Sequence, residues 1–171
     1  MYIALFIIIF ILFLTIALAA YSLAPWVPSH SKDLKRISKL ADMQDGETFY
    51  DLGCGDGKII WRIAKNQKVK TVGIELALPM YLICKFHQLV SPRKNIKIIW
   101  GNVFKKNLSE ADAIFIFGTP WSLQNKFKEK LKKELKKGAR VISYTFPIKG
   151  WQPVKVDKPN KNDNTIYLYK I

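Results

Sequence analysis

The segment Asp51-Leu52-Gly53-Cys54-Gly55-Asp56-Gly57 constrains the fold more than any other part of the chain. Glycines at alternate positions favour neither helix nor strand. They allow a sharp turn and let a ligand come close to the backbone. Before the turn, Thr48–Leu52 reads as a strand. After it, Ile59–Lys65 reads as a helix with Ile59, Ile60, Ile63 and Ala64 on its buried side. Strand, glycine turn and helix in that order belong to open parallel sheets, which hold ligands beyond the carboxyl ends of their strands.

The rest of the domain repeats the alternation. Lys70–Glu75 reads as a second strand, and Pro79 opens a helix that runs to Val90 and stops before Pro92. Ile96–Trp100 is a third strand. Ala113–Phe117 is a fourth, apolar throughout as befits a parallel strand buried on both faces. One long helix is predicted from Trp121 to Lys137, with Leu123, Phe127, Leu131 and Leu135 facing the sheet and Gly138 as its stop. Arg140–Tyr144 is a fifth strand. Val154–Val156 and Thr165–Tyr169, joined by a polar loop, read as a closing antiparallel hairpin. The prediction is an α/β fold with helices on both faces of a mostly parallel sheet.

Residues 1–24 differ from everything that follows. Tyr2–Ala24 carries no charge and is dense in Ile, Leu, Phe and Ala. About 22 residues give roughly 33 Å of helix, enough to cross a bilayer core. A cleaved signal peptide competes with a retained anchor. No Lys or Arg precedes the run, and Lys32, Lys35, Arg36 and Lys39 follow it. We read a single-pass anchor with the C-terminal part cytoplasmic. Pro25-Trp26-Val27-Pro28 ends that helix, and Trp26 suits the bilayer interface. Residues 25–46 then form a linker with one amphipathic helix, in which Ser31 is a cap and Leu34, Ile37, Leu40 and Ala41 share a face. Residues 47–171 make up the α/β domain.

The net charge of +15 admits nucleic acid, an anionic leaflet or merely solvated lysines as its explanation. With an anchor alongside, the anionic membrane surface needs fewest assumptions. Cys54 and Cys84 form no CxxC pair, so neither a zinc site nor a disulfide framework is expected, and no metal is expected elsewhere.

The loop selects its ligand. A dinucleotide fingerprint would place its third glycine where Lys58 stands. Asp51 would repel a pyrophosphate and suits a ligand bearing an ammonium group. Glu75, ending the second strand, can accept hydrogen bonds from two ribose hydroxyls. Asn102, ending the third, suits an adenine edge or simply caps its loop.

These residues resemble the class I S-adenosylmethionine (SAM)-dependent methyltransferases. The resemblance implies a seven-stranded Rossmann-like sheet of order 3-2-1-4-5-7-6 with strand 7 antiparallel. It implies SAM binding by Asp51, Gly53, Cys54, Gly55, Asp56, Gly57, Glu75, Leu76, Asn102 and Val103. A more specific likeness runs over nearly the whole chain. Val27-Pro28-Ser29, Asp51–Ile59, Gly73-Ile74-Glu75, Leu131–Ser143, Phe146-Pro147 and Gly150-Trp151 are similar to small protein-lysine methyltransferases. That family includes the enzymes for the ATP synthase c-subunit and the adenine nucleotide translocase, together with archaeal members.

Methyl transfer is an in-line displacement that depends on alignment within about 3–3.5 Å. Thr119, Pro120 and Trp121, after the fourth strand, stand where such folds place the acceptor, although Trp121 equally suits a packing role. Tyr144, Phe146 and Trp151 are candidates for the opposite wall. Ser29 and His30 are candidates to close over the methionine end, with an exposed helix start the alternative for His30. The expected partner is a protein substrate, with a membrane protein the natural candidate. An amine-bearing lipid, a small molecule or a non-catalytic SAM-binding scaffold are the alternatives. Nucleic acid is not expected, because Gly118-Thr119-Pro120-Trp121 only partly resembles the D/N-P-P-Y/F motif of amino-base enzymes.

Overall fold

A computed structural model describes residues 2–124 and 126–171. Its seven-stranded sheet has the order β3-β2-β1-β4-β5-β7-β6. The strands are β1 (Thr48–Leu52), β2 (Lys70–Glu75), β3 (Ile96–Trp100), β4 (Ala113–Ile116), β5 (Arg140–Tyr144), β6 (Lys155–Asp157) and β7 (Ile166–Lys170). Strands β1 to β5 pair in parallel, while β7 runs antiparallel to both β5 and β6. Order and directions are those the resemblance implies.

Alternation in the strands sends two apolar layers to opposite faces. Phe49, Ala113, Phe115, Ile142 and Tyr144 meet α2 (Asp33–Ala41) and α3 (Lys58–Ile63) through Ile37, Leu40, Ile59 and Ile63. Tyr50, Leu52, Ile74, Ile114, Ile116 and Val141 meet Leu123, Phe127, Leu131 and Leu135 on the other face. A smaller cluster joins Cys84 of α4 (Leu78–Val90) to Ile60, Ile96 and Ile98.

The single long helix expected over Trp121–Lys137 is two helices, α5 (Pro120–Leu123) and α6 (Lys126–Glu134). Thr119 caps α5 by accepting the Ser122 N–H at 3.2 Å, and Gln124 is extended. The every-fourth-residue apolar row survives this interruption, because the sheet demands burial at those points whatever the backbone does between them. Asn125, inside that expected helix, lies outside the described residues. Helix α6 also stops short of Lys137. The Gly138 N–H donates to the Ile171 carbonyl at 2.7 Å and so serves the C-terminal strand instead.

Helix α2 is fastened by charge as well as by its apolar face. Lys32, not Ser31, occupies its N-cap position and makes no side-chain cap. Asp33 is fully buried, accepting from Tyr144 Oη at 2.7 Å and Arg36 Nη1 at 2.7 Å, while Arg36 also reaches Asp157 of β6. Burial opposes the Asp33 charge, but these hydrogen bonds outweigh it and hold the carboxyl below its ordinary pKa. Burial first, and then the Asp33 carboxylate, push the Tyr144 phenol up to about 12, so it remains a donor at neutral pH. Tyr144 is therefore a clasp between α2 and β5 and not a wall of a ligand site.

The apolar N-terminal run is helix α1 (Tyr2–Ser22), with Thr15 its one buried residue. It is long and apolar enough to cross a membrane.

Candidate active site

A cavity opens at the carboxyl end of the sheet, where β1, β2 and β4 deliver their last residues. Its walls include Asp51, Gly53, Cys54, Gly55, Asp56, Glu75, Leu76, Asn102 and Val103. Nine of the ten residues assigned to cofactor binding thus share one space. Gly57 stands just behind, at the N-cap of α3, with φ +79°.

Asp51 lies in register with Gly73 on one side and Phe115 on the other. It is 1% exposed, and among the described residues no group donates a hydrogen bond to it. Burial, then the neighbouring carboxylates of Glu75 and Asp56, push its pKa well above the ordinary value. A buried carboxylate with two acidic neighbours and no cation is an expensive arrangement unless a positive ligand completes it.

Glu75 is held differently. One carboxylate oxygen accepts the Gly55 N–H at 2.8 Å, and the other accepts the Leu76 and Ala77 N–H groups at 2.9 and 2.8 Å. Burial raises its pKa, and these three donors work against that rise. The residue thereby shapes the glycine loop from inside. A carboxylate has about four lone-pair sites, so capacity remains for ribose hydroxyls. Asn102 accepts the Phe104 N–H at 2.9 Å and caps the short 3-10 turn Val103–Lys105, which presents its rim to the cavity.

Of the other wall, only Ser29 was singled out for the site in the sequence. After α1, the chain doubles back over the glycine loop as a strap. Leu23 through Ser29 all line the cavity, joined by Ile16, Ala19 and Ser22 of α1. A Cβ at Gly53 would meet Leu23 at 2.8 Å, and one at Gly55 would meet the Trp26 indole nitrogen at 2.5 Å. Trp26, assigned above to the bilayer interface, packs against the loop. Prolines at 25 and 28 keep the strap out of helix. Met80, Phe115 and Phe117 complete the apolar lining.

Gly55→Ala tests this contact. Left-handed φ (+54°) costs a non-glycine residue about 1–2 kcal/mol, and the clash with Trp26 adds to it. In a Trp26→Ala background the clash is gone. Thermal unfolding of the four proteins should show a smaller Gly55→Ala penalty in that background. Equal penalties in both would mean that the strap does not rest on the loop.

Thr119, Pro120 and Trp121, the candidates for the acceptor side, border this cavity without lining it. Thr119 is tied to the strap, its N–H donating to the Leu23 carbonyl at 3.2 Å. Pro120 starts α5, and Trp121 is 66% exposed with its ring 6.0 Å from that of Tyr21 in α1. Of the remaining candidates, Ser29 lines the cavity, whereas His30 is exposed. Phe146 and Trp151 pack on the core beneath β7 and, with Tyr144, stand outside the cavity. They follow the fifth strand in sequence, but the chain turns there toward the hairpin. Among the described residues no His, Cys, Asp and Glu group could hold a metal.

Residues 51–155 match the model of the ANTKMT methyltransferase domain. The chain belongs to that methyltransferase family. It is similar to a protein-lysine N-methyltransferase of Saccharolobus islandicus (strain REY15A), with 38% identity over 86% of this chain and 93% of that one. It is also similar to the ATP synthase c-subunit lysine N-methyltransferase of Mus musculus, at 30% identity over 82% of this chain and 56% of the mouse protein. The chain thus spans little more than half the length of that mouse relative. Among solved structures, an RNA methyltransferase from Salinibacter ruber in complex with S-adenosyl-L-homocysteine superposes with a TM-score of 0.78. It is 27% identical, and the match covers 85% of this chain and 94% of that one.

This ANTKMT-family chain is a SAM-dependent methyltransferase, and its residues fit the cofactor. SAM carries an ammonium and a sulfonium, the positive charges that the orphaned Asp51 and its acidic neighbours call for. The glycine loop leaves no room for a Cβ where the strap closes over it.

Proposed function

We propose that the chain is a protein-lysine N-methyltransferase acting on a protein at the cytoplasmic face of a membrane into which α1 is inserted. The observation that carries the lysine assignment is the 38% identity to a relative of that name over 93% of its length. The uncharged, largely exposed α1 supports the membrane location.

Asp51 would hold the methionine ammonium, Glu75 the ribose, and Leu76, Asn102 and Val103 the adenine side. When bound, SAM supplies an electrophilic methyl group on its sulfonium. The chain's own contribution is alignment and desolvation. A lysine acceptor needs a free lone pair, and an apolar approach lined by Val27, Phe115 and Phe117 lowers an amine pKa by withholding water from the ammonium form. Thr119, Pro120 and Trp121 would form the acceptor side, with the Gly118 carbonyl and Thr119 hydroxyl accepting amine hydrogens and Trp121 a wall for the cation. A nucleic-acid substrate is not proposed, since Gly118-Thr119-Pro120-Trp121 lacks the paired prolines of amino-base enzymes.

The test is partition of label. Full-length protein incubated with methyl-labelled SAM and host membranes should label a protein band. Label recovered only in the lipid extract would replace this reading with an amine-lipid substrate.

A further inference from the structure

Helix α4 is built the wrong way round for a helix facing water. Its one buried residue is Cys84, while Leu82, Phe86, Leu89 and Val90 are 51, 62, 79 and 63% exposed. These four fall at spacings of 4, 3 and 1, within one arc of about 100° at 100° per residue, opposite Cys84. A contiguous apolar stripe of this kind marks a surface that something covers.

What covers it follows from where α4 begins. The Leu78 N–H donates to Thr15 Oγ1 of α1 at 3.1 Å, so the first turn of α4 lies against α1 well short of the end of that helix. From Thr15 to Ser22, α1 is engaged with the domain, through Leu78, the cavity wall and the Tyr21–Trp121 ring pair. Helix α1 is apolar from Tyr2 to Ser22, roughly 32 Å at 1.5 Å per residue, which matches a hydrocarbon core of about 30 Å. If α1 spans, Thr15 lies within that core, and the domain surface beside it lies at acyl depth. That surface is α4.

We propose that the outward face of α4 is a membrane-insertion surface, in which Leu82, Phe86, Leu89 and Val90 sink into the acyl boundary of an anionic leaflet beside α1. Exposed Trp100, held by its Nε1–H donating to the Leu76 carbonyl at 3.0 Å, and exposed Trp121 provide the aromatic level typical of the headgroup region. The net charge of +15 suits an anionic leaflet. The cavity, walled on this side by Ile16, Ala19 and Ser22, then lies against the leaflet, so the substrates reached are lysines at the leaflet boundary of membrane proteins. The inference rests on the proposed membrane insertion of α1, and the test separates the two.

Single-cysteine spin labels are placed at Phe86→Cys and Leu89→Cys, with Phe10→Cys reporting α1 and Lys133→Cys reporting the far helix α6; Cys54 and Cys84 are buried. Full-length protein is reconstituted in phosphatidylcholine–phosphatidylglycerol vesicles. Each variant is first shown to bind SAM, and Leu82→Cys replaces either α4 site if one fails. Collision with oxygen and with a polar nickel chelate is then measured. Oxygen should dominate at positions 86, 89 and 10, with the order reversed at 133. Nickel access at 86 and 89 while position 10 stays shielded would overturn the α4 surface and leave the anchor standing. Shielding of 86 and 89 from both reagents would mean that protein, a second copy or a substrate, covers the face, and would also overturn it. Nickel access at position 10 would remove the membrane reading and this inference with it.

Discussion

Asp51→Asn should weaken SAM binding by at least about 100-fold while raising the melting temperature of the cofactor-free protein. Both effects come from the same charge. The carboxylate is buried, lacks a hydrogen-bond donor among the described residues and sits beside Glu75 and Asp56. Removing one partner of a buried ion pair costs about 3–5 kcal/mol, which sets the binding loss. Without the ligand the charge is a burden. The folded-state pKa lies above the unfolded value, so Asp51 favours folding fully only at pH below the unfolded pKa. That contribution is lost as pH rises through the raised folded pKa. Asn removes the ionisation and the loss with it, and each kcal/mol relieved is worth about 2–4 °C in a chain of this size. SAM affinity should likewise fall as pH drops through the raised pKa, because the ammonium needs the ionised form. Calorimetric titration and thermal scans of the two proteins in detergent check all three. Unchanged affinity in Asp51→Asn would remove this residue from the site.

Glu75→Ala should damage the fold and the site together. The three N–H groups of Gly55, Leu76 and Ala77 would lose a charged acceptor at once. Buried donors left unpaired cost about 1–3 kcal/mol each, and even with water partly replacing the carboxylate the expected loss is about 3 kcal/mol. Glu75→Gln keeps one acceptor oxygen and should lie between. Hydrogen exchange at Gly55 and Ala77 should quicken in Ala more than in Gln. A melting temperature unaffected by Ala would show that the loop is shaped by its glycines alone. The contrast with Asp51 is informative: burial raises the pKa of both carboxylates, but only Glu75 is an acceptor for three backbone N–H groups that its replacement by Ala leaves unpaired.

Much of this was legible in the sequence because it depends on local rules. Strands β1 to β5 follow from apolar runs bounded by Gly, Pro and polar turns, and the glycine loop with Glu75 fixes the binding edge without reference to anything distant. The interruption between α5 and α6 was hidden, because Leu123, Phe127, Leu131 and Leu135 keep helical spacing across it. Most of the strap, beyond Ser29, was hidden for another reason. Trp26 and Leu23 reach Gly55 and Gly53 across some thirty residues of chain, and no periodicity encodes such a return. Tyr144 read as an aromatic wall because its proximity in sequence to the fifth strand's end was visible, whereas its hydrogen bond to Asp33, 111 residues away, was not.

The most direct test of the central claim is the chemical identity of the methylated product. Purified full-length protein in vesicles, supplied with methyl-labelled SAM and a host membrane-protein fraction, should yield protein whose acid hydrolysate carries the label in Nε-methylated lysine. That signal should vanish with Asp51→Asn. Label in a base-labile ester, in arginine or in no amino acid at all, while the same preparation binds SAM, would contradict the assignment of lysine as acceptor.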